Sequence, residues 1–336
     1  MPTQIVIPVA DISQVGEARR IVARLSSDAQ YSETLKGRLA IITTELATNL
    51  VRHAGQGKLL AQVIETASGS AFELISLDQG RGIAHLDKAL MDGYSTGGTA
   101  GQGLGAIRRQ SDEFDIYSQV DHGTIVLSRV SREPVASTPN SLVWGAVSIP
   151  APHETECGDC WRLATGDGWF SLMIADGLGH GPLAAEAADK AAEAFLETRQ
   201  AAPSAIVQAA HSALCGTRGA ALAVARCDTH QSKLKYAGVG NISGTLVSGA
   251  DRRGLTSHNG IVGVQFHKVQ EFEYSYGDRA ILVMHSDGLQ GRWTFEKYPG
   301  LMQRHPAIIA GVLYRDFQRG RDDATVVVVR WSSLKV

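Results

Sequence analysis

Residues 43–54 read TTELATNLVRHA and lie within a segment whose apolar residues recur at helical spacing. On a helix, Glu45, Asn49 and His53 are four residues apart and share one face, while the two leucines between them can face a core. A carboxylate one turn from an amide can place a proton acceptor beside a ligand for a divalent metal. A solvated polar stripe on an amphipathic helix would give the same pattern, so this stretch alone leaves both interpretations open.

A second informative stretch, LDQGRG at residues 77–82, follows a strand-like run. Asp78 can accept a hydrogen bond from an exocyclic amine, such as that of adenine. Gly80 and Gly82 allow the backbone to lie close to a flat ring, because glycine carries no β-carbon. This stretch therefore favours a nucleotide site in the first part of the chain.

A third stretch, STGGTAGQGLGAIRR at residues 95–109, is a glycine-rich loop that leads into a helix start near Leu104. Backbone N–H groups and the helix dipole at such a start favour phosphate. The loop lacks the GK[ST] of a P-loop and is not placed as the dinucleotide fingerprint requires. Taken alone it is a weak indication of a phosphate site.

The three stretches, in this order and spacing, resemble the GHKL ATPase superfamily, which includes the ATP domains of histidine kinases, heat-shock chaperones and gyrases. The resemblance is closest to the anti-sigma-factor serine kinases of the RsbW and RsbT type. Their N-box is similar to E-L-x-x-N-x-x-x-H-A, and their glycine boxes to D-x-G-x-G and G-x-G-L-G. The resemblance covers residues 1–130. A histidine kinase is the less similar alternative, because nothing here resembles its dimerisation segment with a phospho-accepting histidine.

This resemblance implies a domain that binds ATP with Mg²⁺ and phosphorylates a serine or threonine. Glu45 would be the general base for the attacking hydroxyl, and Asn49 would ligate the Mg²⁺ that bridges the phosphates. A short lid at residues 91–100 would close over the nucleotide. The residues implied to hold it are Asp78, Gly80 and Gly82 on the adenine side and Gly101, Gly103, Leu104 and Gly105 on the phosphate side.

Residues 131–141 read SREPVASTPNS, a polar and proline-containing stretch without apolar periodicity, which is typical of a linker. Strand-like runs lie on either side of it, at residues 124–130 and 142–149. The sequence therefore predicts an N-terminal domain at residues 1–130 and a C-terminal domain at residues 142–336.

The second domain contains WFSLMIADGLGHG at residues 169–181, where a buried-looking strand ends on Asp176. The Asp176 carboxylate and the Gly177 carbonyl are hard oxygen ligands suited to Mg²⁺ or Mn²⁺. Further carboxylates stand at strand starts or ends, at Asp159, Asp287 and Asp323. Any single Asp-Gly pair is more simply a turn, but several such positions in one strand-rich domain favour a metal cluster.

The order G-D, D-G-x-G-H-G, S-D-G and D-D-A-T resembles the PPM-type metal-dependent serine/threonine phosphatases, and most closely their SpoIIE and RsbX branch. The resemblance covers about residues 142–333. It implies a β-sandwich flanked by helices, with two Mn²⁺ or Mg²⁺ ions that activate a water for attack on phosphorus. Asp176 would bridge the metals, and the set would be completed by the Gly177 carbonyl, Asp159, Asp287 and Asp323.

Other residues of this domain have competing interpretations. Arg162 is a weak candidate for the phosphate-binding arginine of larger phosphatases, and His180 either orients a water or satisfies its own loop. Cys157 and Cys160 form a C-x-x-C that could indicate zinc or redox chemistry, although no second C-x-x-C follows.

Composition narrows the class of protein. A net charge of −2 and the lack of a basic cluster interleaved with aromatics predict no nucleic-acid or membrane partner. No apolar run approaches the roughly 18 residues of a membrane span, and no signal peptide is evident. Four cysteines do not make a disulfide scaffold in a chain of 336 residues, so we expect a cytoplasmic protein. The expected fold class is α+β, with a GHKL (Bergerat) α/β sandwich followed by a PPM-type β-sandwich flanked by helices.

Together the resemblances imply a bifunctional partner-switching regulator. One domain would phosphorylate a STAS-domain protein and the other would remove the phosphate, which decides whether a sigma factor or other effector is free. Two alternatives stay open. The N-terminal domain could be a non-catalytic module that binds a sigma factor or STAS partner, or the chain could be an ATPase with a metal-hydrolase domain that acts on a small phosphorylated molecule.

Overall fold

The computed structural model describes residues 4–66, 69–90, 103–133, 142–265 and 268–332. It divides into two compact units, of which the first is Met1–Thr138 with Thr294–Arg315 and the second is Pro139–Trp293 with Asp316–Val336. The chain passes from one unit to the other at residues 138–139, within the predicted linker. The structure differs from the sequence-based division in one respect. Thr294–Arg315, which the sequence assigned to the second domain, packs with the first unit.

The first unit is built on one antiparallel sheet with the strand order β1-β2-β3-β5-β4. Its strands are β1 (Ile5–Val9), β2 (Gly57–Thr66), β3 (Gly69–Asp78), β4 (Glu113–Gln119) and β5 (Gly123–Ser131). Its helices before the linker are α1 (Ile12–Asp28), α2 (Glu33–Asn49), α3 (Leu86–Ala89) and α4 (Gly103–Gln110), and α2 continues into a π-helical turn at Leu50–Ala54.

Helices α1, α2 and α4 contribute to the core on one face of this sheet. Helix α1 begins at a capping box on Asp11, and α2 packs on the sheet through its apolar stripe. Leu46 and Leu50 are 0% and 1% exposed, as their helical spacing predicts. Glu45 and Asn49 are only half-buried. The stretch TTELATNL is therefore an amphipathic helix whose polar face is available for a site.

The second unit contains two five-stranded antiparallel sheets, with the strand orders β13-β10-β9-β8-β7 and β12-β11-β14-β15-β6. Its strands are β6 (Leu142–Ile149), β7 (Asp159–Gly166), β8 (Trp169–Gly177), β9 (Ala220–Asp228), β10 (Lys233–Val239), β11 (Ser243–Ser248), β12 (Asp251–Leu255), β13 (Phe272–Ser275), β14 (Arg279–His285) and β15 (Ala324–Ser332). The remaining helices of the chain are α5 (Pro182–Thr198), α6 (Pro203–Ala213) and α7 (Pro306–Phe317), with single 3₁₀ turns at Phe295–Lys297 and Leu301–Gln303.

The two sheets of the second unit face each other across one hydrophobic core. Phe170 and Leu172 from one sheet pack in the same cluster as Leu282 and Met284 from the other. A second cluster joins α5 and α6 to the outer face of the first of these sheets, through residues such as Phe195. The predicted α+β class is confirmed, including the β-sandwich flanked by helices. No helix among the described residues is long and apolar enough to cross a membrane.

Helix α7 is buried on every side from Pro306 to Tyr314. A β-carbon at Gly311 would lie 3.1 Å from Leu77 Cδ2 on β3 and 3.4 Å from Ile125 Cγ2 on β5. These two residues face away from α1 and α2, because side chains alternate along a strand. Thr294–Arg315 therefore supplies the first unit's sheet with a cover on its second face.

A buried ionic network holds the residues before α7 against this sheet. Arg129 on β5 pairs with Glu73 and with Glu113, each at 2.7 Å, and the Glu73 side chain is only 1% exposed. His305 Nε2 lies 3.3 Å from Glu113 Oε1, and His305 Nδ1 accepts the Ala307 N–H at 3.0 Å. Burial lowers the pKa of His305. The ring is therefore neutral and donates from Nε2 to Glu113.

We expect Glu113→Gln to destabilise the protein at neutral pH and to lose this effect in acid. Burial acts to raise the pKa of Glu113, but the hydrogen bond from His305 and the charge of Arg129 outweigh it and lower the pKa from 4.5 to about 2. The ionised carboxylate thus stabilises the fold above about pH 4.5, and this contribution is lost as the pH falls toward about 2. In urea unfolding, the difference in free energy of unfolding between wild type and variant should shrink as the pH falls across that range.

Glu17→Gln, which changes an exposed carboxylate on α1, is the matched control and should show no gap at any pH. A gap for Glu113→Gln that stays constant from neutral pH to about pH 2 would contradict the ionic role of this side chain.

Candidate functional sites

The N-box helix and the glycine-rich loop meet in the first unit. A β-carbon at Gly103, the first residue of α4, would lie 3.0 Å from Glu45 Oε2 and 3.6 Å from Asn49 Oδ1. The start of α4 therefore lies directly against the polar face of α2, and a side chain at residue 103 would require the Glu45 carboxylate to move. The structure thus brings together the predicted base, the predicted Mg²⁺ ligand and one of the predicted phosphate-binding residues.

Asp78 is the last residue of β3 and is held by backbone donors. Its Oδ1 accepts the N–H of Gly80 at 2.8 Å and the N–H of Thr124 at 3.1 Å. Burial raises the pKa of Asp78, and these two hydrogen bonds act in the opposite direction. With Oδ1 fixed by two donors, Oδ2 is the oxygen left to accept from an exocyclic amine.

Both glycines after Asp78 allow close backbone contacts. A β-carbon at Gly80 would lie 2.7 Å from Ala54 Cα, and Gly82 adopts a φ of +68°. In the phosphate-binding set, Gly105 is buried and Leu104 packs against the core of the first unit. Gly101 and the predicted lid at residues 91–100 lie outside the described residues.

His53 follows the helix that carries Glu45 and Asn49, and the charge of Asp78 acts to raise the pKa of its ring. Helix α2 ends at Asn49, and His53 lies in the π-helical turn that follows. Burial and the charges of Arg81 and Arg52 lower the pKa of His53, so its ring is neutral at physiological pH. The predicted helix therefore extends through Glu45 and Asn49, and His53 lies in a turn of different geometry.

One residue near the base-binding side comes from far along the chain. Arg315, in the last turns of α7, donates from Nη1 to the Asp78 carbonyl oxygen at 2.9 Å. Its charge also acts to lower the pKa of the Asp78 carboxyl. Sequence reasoning missed Arg315, because nothing local in residues 306–317 indicates which sheet the helix covers.

In the second unit, two of the predicted metal ligands lie side by side. Asp159 at the start of β7 and Asp176 near the end of β8 are direct cross-strand partners in an antiparallel pair. Burial and the neighbouring charges of Asp159 and Asp287 raise the pKa of Asp176. Burial also raises the pKa of Asp159. Carboxylates that resist ionisation in this way are suited to a bound cation, which would reverse the balance of charge.

The hydrogen bonding of the carboxylates supports the same interpretation. Asp159 Oδ2 accepts from Ser286 Oγ at 2.6 Å, and Asp323 Oδ1 accepts the Ala151 N–H at 2.8 Å. The second oxygen of each, Asp159 Oδ1 and Asp323 Oδ2, is buried without a hydrogen-bond partner. Buried polar atoms are rarely left in this state, so these two oxygens fit the role of cation ligands.

The remaining predicted ligands lie around this pair. Asp287 Oδ2 accepts from Asn241 Nδ2 at 2.7 Å, and the Gly177 N–H donates to the Gly158 carbonyl at 3.0 Å. In the described ranges, no three His, Cys, Asp or Glu side chains are arranged to hold a metal ion as they stand. The metal set is therefore a prediction that rests on the register, the pKa shifts and the two unpartnered oxygens.

Three supporting residues escaped the sequence interpretation. Ser286 and Asn241 each donate to a predicted ligand, and the charge of Asp322 acts to raise the pKa of Asp176. Ser286 and Asp322 adjoin predicted ligands in sequence and could have been found there. Asn241 could not, because it lies 46 residues before its partner.

We expect Asn241→Ala to weaken metal binding by about 10–100-fold, because residues that orient a metal ligand commonly contribute this much. The Asn241 amide holds one oxygen of Asp287 and so fixes the direction of the other. Calorimetric titration with Mn²⁺ measures the change. Asn259→Ala, which alters an exposed asparagine of the same unit, is the control and should bind like wild type. Equal affinities for Asn241→Ala and wild type would exclude the positioning role.

The four other candidate residues of this unit have local contacts or environments of their own. Arg162 Nη1 donates to the Trp161 carbonyl at 2.8 Å and contacts Cys160 Sγ, and His180 Nδ1 lies 2.6 Å from Glu154 Oε1. His180 is thus engaged with a residue that lies 26 positions earlier in the chain. Burial raises the pKa of the Cys160 thiol and also that of Cys157, and both cysteines are unpaired. Raised thiol pKa values disfavour the thiolate that zinc or redox chemistry requires.

The folds and sites described define a nucleotide-binding unit and a unit with the carboxylate-lined sandwich of a metal-dependent phosphatase. Comparison with known families agrees. Residues 9–129 match the histidine kinase-like ATPase domain, and residues 166–332 match stage II sporulation protein E (SpoIIE). The serine/threonine-protein kinase RsbT of Bacillus subtilis (strain 168) is 30% identical over 107 residues, which are 32% of this chain and 80% of RsbT.

Solved structures give the same result. A chain described as "The bacterial stressosome: a modular system that has been adapted to control secondary messenger signaling" is 29% identical, with a TM-score of 0.53 over 56% of this chain and 98% of that one. RsbX in complex with magnesium is 19% identical and shares the fold, with a TM-score of 0.50 over 58% of this chain and 98% of RsbX. The chain therefore belongs to the RsbT family through its first domain, and its second domain matches the SpoIIE family model and shares the fold of RsbX.

Both of these families are enzymes, and the two resemblances inferred from the motifs are confirmed. The chain joins a serine/threonine kinase-like domain to a PP2C-type phosphatase domain.

Proposed function

We propose that the chain is a bifunctional partner-switching regulator. Its first unit uses ATP with Mg²⁺ to phosphorylate a serine or threonine of a STAS-domain protein, and its second unit uses two Mn²⁺ or Mg²⁺ ions to remove that phosphate. The phosphorylation state decides which effector, such as a sigma factor, is released. One observation carries the proposal: a single chain holds Glu45 beside Gly103 in one unit and Asp159 paired with Asp176 in the other.

In the first unit, Glu45 accepts the proton of the attacking hydroxyl, and Asn49 contributes an oxygen ligand to Mg²⁺ on the phosphates. The Asp78 carboxylate accepts from the adenine amine, with Oδ1 already fixed by two backbone donors. The start of α4 at Gly103 directs backbone N–H groups toward the phosphates. Phosphoryl transfer depends mainly on positioning and charge neutralisation, so this small set of residues is sufficient.

In the second unit, Asp159, Asp176, Asp287 and Asp323 hold the cations together with the Gly177 carbonyl. When bound, such cations supply charge neutralisation at the phosphoryl group and acidify water for attack. The chain's own contribution is to fix the carboxylates. Ser286 orients Asp159, and Asn241 orients Asp287.

The names of the relatives support the class of partner. RsbT is a serine/threonine-protein kinase, and the structural neighbour at 29% identity was described as part of the bacterial stressosome. The alternative of a non-catalytic N-terminal module is less well supported, because Glu45 and Asn49 are both present and both adjoin Gly103. A chain that only bound its partner would have no need of a carboxylate at this point.

The test is a time course with the purified chain, a STAS-domain protein and ATP labelled at the γ-phosphate. With Mg²⁺ and Mn²⁺ present, label should appear on the STAS protein and then decline as ATP is consumed. Isolated, phosphorylated STAS protein should lose its label when the chain and Mn²⁺ are added without ATP. If label never appears but is removed from pre-phosphorylated protein, the kinase half of the proposal fails and the binding-module alternative replaces it.

A further inference from the structure

A pocket of about 640 Å³ opens on the second unit, close to one of the predicted metal ligands. Its lining includes Asn241, Ser243, Thr245, Arg252, Ser257 and His285. This volume falls within the range of about 300–1,000 Å³ that is usual for ligand sites. The pocket is larger than a phosphate needs, so it can hold several residues of a polypeptide.

The pocket lies on the outer face of a sheet. Ser243 on β11 is paired with His285 on β14, and Thr245 on β11 is paired with Gly254 on β12. These side chains share one face because residues two apart point the same way. Leu246, the residue after Thr245, points the other way and lies in the core between the sheets. Hydroxyl groups and strand backbone therefore face outward here, where an extended chain can reach them.

Arg252 is the cation of this pocket, and contact with an aromatic ring holds its side chain in place. Its guanidinium lies 4.4 Å from the centroid of the Trp293 ring, whose Nε1 donates to His285 Nε2 at 3.2 Å. Among the residues that the structure describes, no carboxylate pairs with Arg252. The adjacent Arg253 differs, because it forms an ion pair with Asp251. Arg252 is thus held by stacking while its charge remains available to a ligand.

The pocket is connected to the predicted metal site through Asn241. The Asn241 side chain lines the pocket and donates to Asp287 Oδ2 at 2.7 Å. A polypeptide lying in the pocket would therefore have its phosphorylated residue next to the predicted metal ligands. The polar lining and single cation fit a chain that carries a negative group near this point.

We propose that this pocket binds the polypeptide on either side of the phosphorylated residue, and that Arg252 pairs with an anionic oxygen of that polypeptide. The oxygen belongs to the phosphoryl group or to an acidic side chain beside it, and the experiment distinguishes these two sources. The inference rests on the proposed phosphatase activity of the second unit. To that activity it adds a substrate-binding pocket, in which Arg252 contributes to the choice of substrate.

The experiment compares Arg252→Gln, Arg252→Lys and the matched control Arg253→Gln. Each is assayed with Mn²⁺ on a phosphopeptide with acidic flanking residues, the same phosphopeptide with alanine flanks, and p-nitrophenyl phosphate. We expect Arg252→Gln to lower kcat/KM for the acidic peptide about tenfold, because one charge-assisted hydrogen bond is lost. Arg252→Lys should recover part of the loss, and Arg253→Gln should match wild type.

The pattern of losses identifies the anion. Equal losses with all three substrates assign Arg252 to the phosphoryl group, and a loss confined to the acidic peptide assigns it to the flanking carboxylate. The proposal is overturned if Arg252→Gln has the wild-type kcat/KM on every substrate. It is also overturned if Arg253→Gln lowers kcat/KM as much as Arg252→Gln does.

Binding measured without turnover separates this inference from the proposed function. Fluorescence anisotropy should show weaker binding of the acidic phosphopeptide to Asp176→Asn/Arg252→Gln than to Asp176→Asn alone. A wild-type chain that hydrolyses none of the three substrates would contradict the proposed phosphatase. Equal binding by the two variants would contradict the pocket instead.

Discussion

Asp176→Asn is expected to lower phosphatase kcat by at least about 100-fold, since residues that only orient a metal ligand already account for 10–100-fold. Asp176 is paired across β7 and β8 with Asp159, and its carboxyl is surrounded by the charges of Asp159, Asp287, Asp322 and Asp323. Removing its charge would take away the predicted central ligand of the set. Release of phosphate from a phosphorylated STAS protein in Mn²⁺ measures the loss, and calorimetric titration should show weaker Mn²⁺ binding.

The same substitution should stabilise the metal-free protein. Burial and the neighbouring carboxylates raise the pKa of Asp176 from 3.8 to about 9, so the ionised form costs stability in the folded state. This cost begins as the pH rises above about 4 and grows until the folded group is fully ionised, above about pH 9. With a chelator present, urea unfolding should give Asp176→Asn a higher free energy of unfolding than wild type. The difference should be larger at pH 8 than at pH 5.

A matched control lies in the same hairpin. Asp167→Asn removes an exposed carboxylate from the turn between β7 and β8, so it should change neither activity nor the pH dependence of unfolding. If Asp176 is a metal ligand whose ionised form destabilises the metal-free protein, Asp176→Asn should both lower phosphatase activity and raise stability without metal. Phosphate release by Asp176→Asn at the wild-type rate would contradict the metal site. If the metal-free variant is less stable than metal-free wild type, the carboxylates around Asp176 do not destabilise its ionised form.

The sequence predicted those parts of the fold that depend on local periodicity. The spacing of Leu46 and Leu50 placed α2 and its buried face, and the apolar run that ends on Asp176 placed β8. The Asp-Gly positions at strand ends could also be predicted from the sequence, because glycine and aspartate favour turns and so mark where a strand ends. Both predicted sites were built from such local patterns.

The features that the sequence did not reveal depend on contacts between distant residues. The apolar surface of helix α7 would fit any sheet, so its packing on Leu77 and Ile125 could not be foreseen. The contacts of Arg315 with Asp78 and of Asn241 with Asp287 are of the same kind. The π-helical turn that contains His53 was not predicted for a different reason, since such a turn has no clear signal in composition.

Glu45→Ala is expected to lower phosphorylation of the STAS protein by about 100–10,000-fold, which is the usual contribution of a general base. Glu45 Oε2 would lie 3.0 Å from a β-carbon at Gly103, so the carboxylate stands at the phosphate end of the predicted nucleotide site. Asn49 and Asp78 are unchanged in this variant. Affinity for a fluorescent ATP analogue should therefore stay within about twofold of wild type, and transfer of γ-phosphate should fall.

The combination of results decides between a kinase and a binding module. Glu33→Gln removes an exposed carboxylate from the first turn of the same helix and should leave phosphorylation unchanged. Because the second unit removes phosphate, the comparison is made in the Asp176→Asn background, where product accumulates. Phosphorylation that survives Glu45→Ala would exclude this residue as the base. A partner complex that forms equally well with and without Glu45, in a chain that never transfers phosphate, would favour a module that only binds.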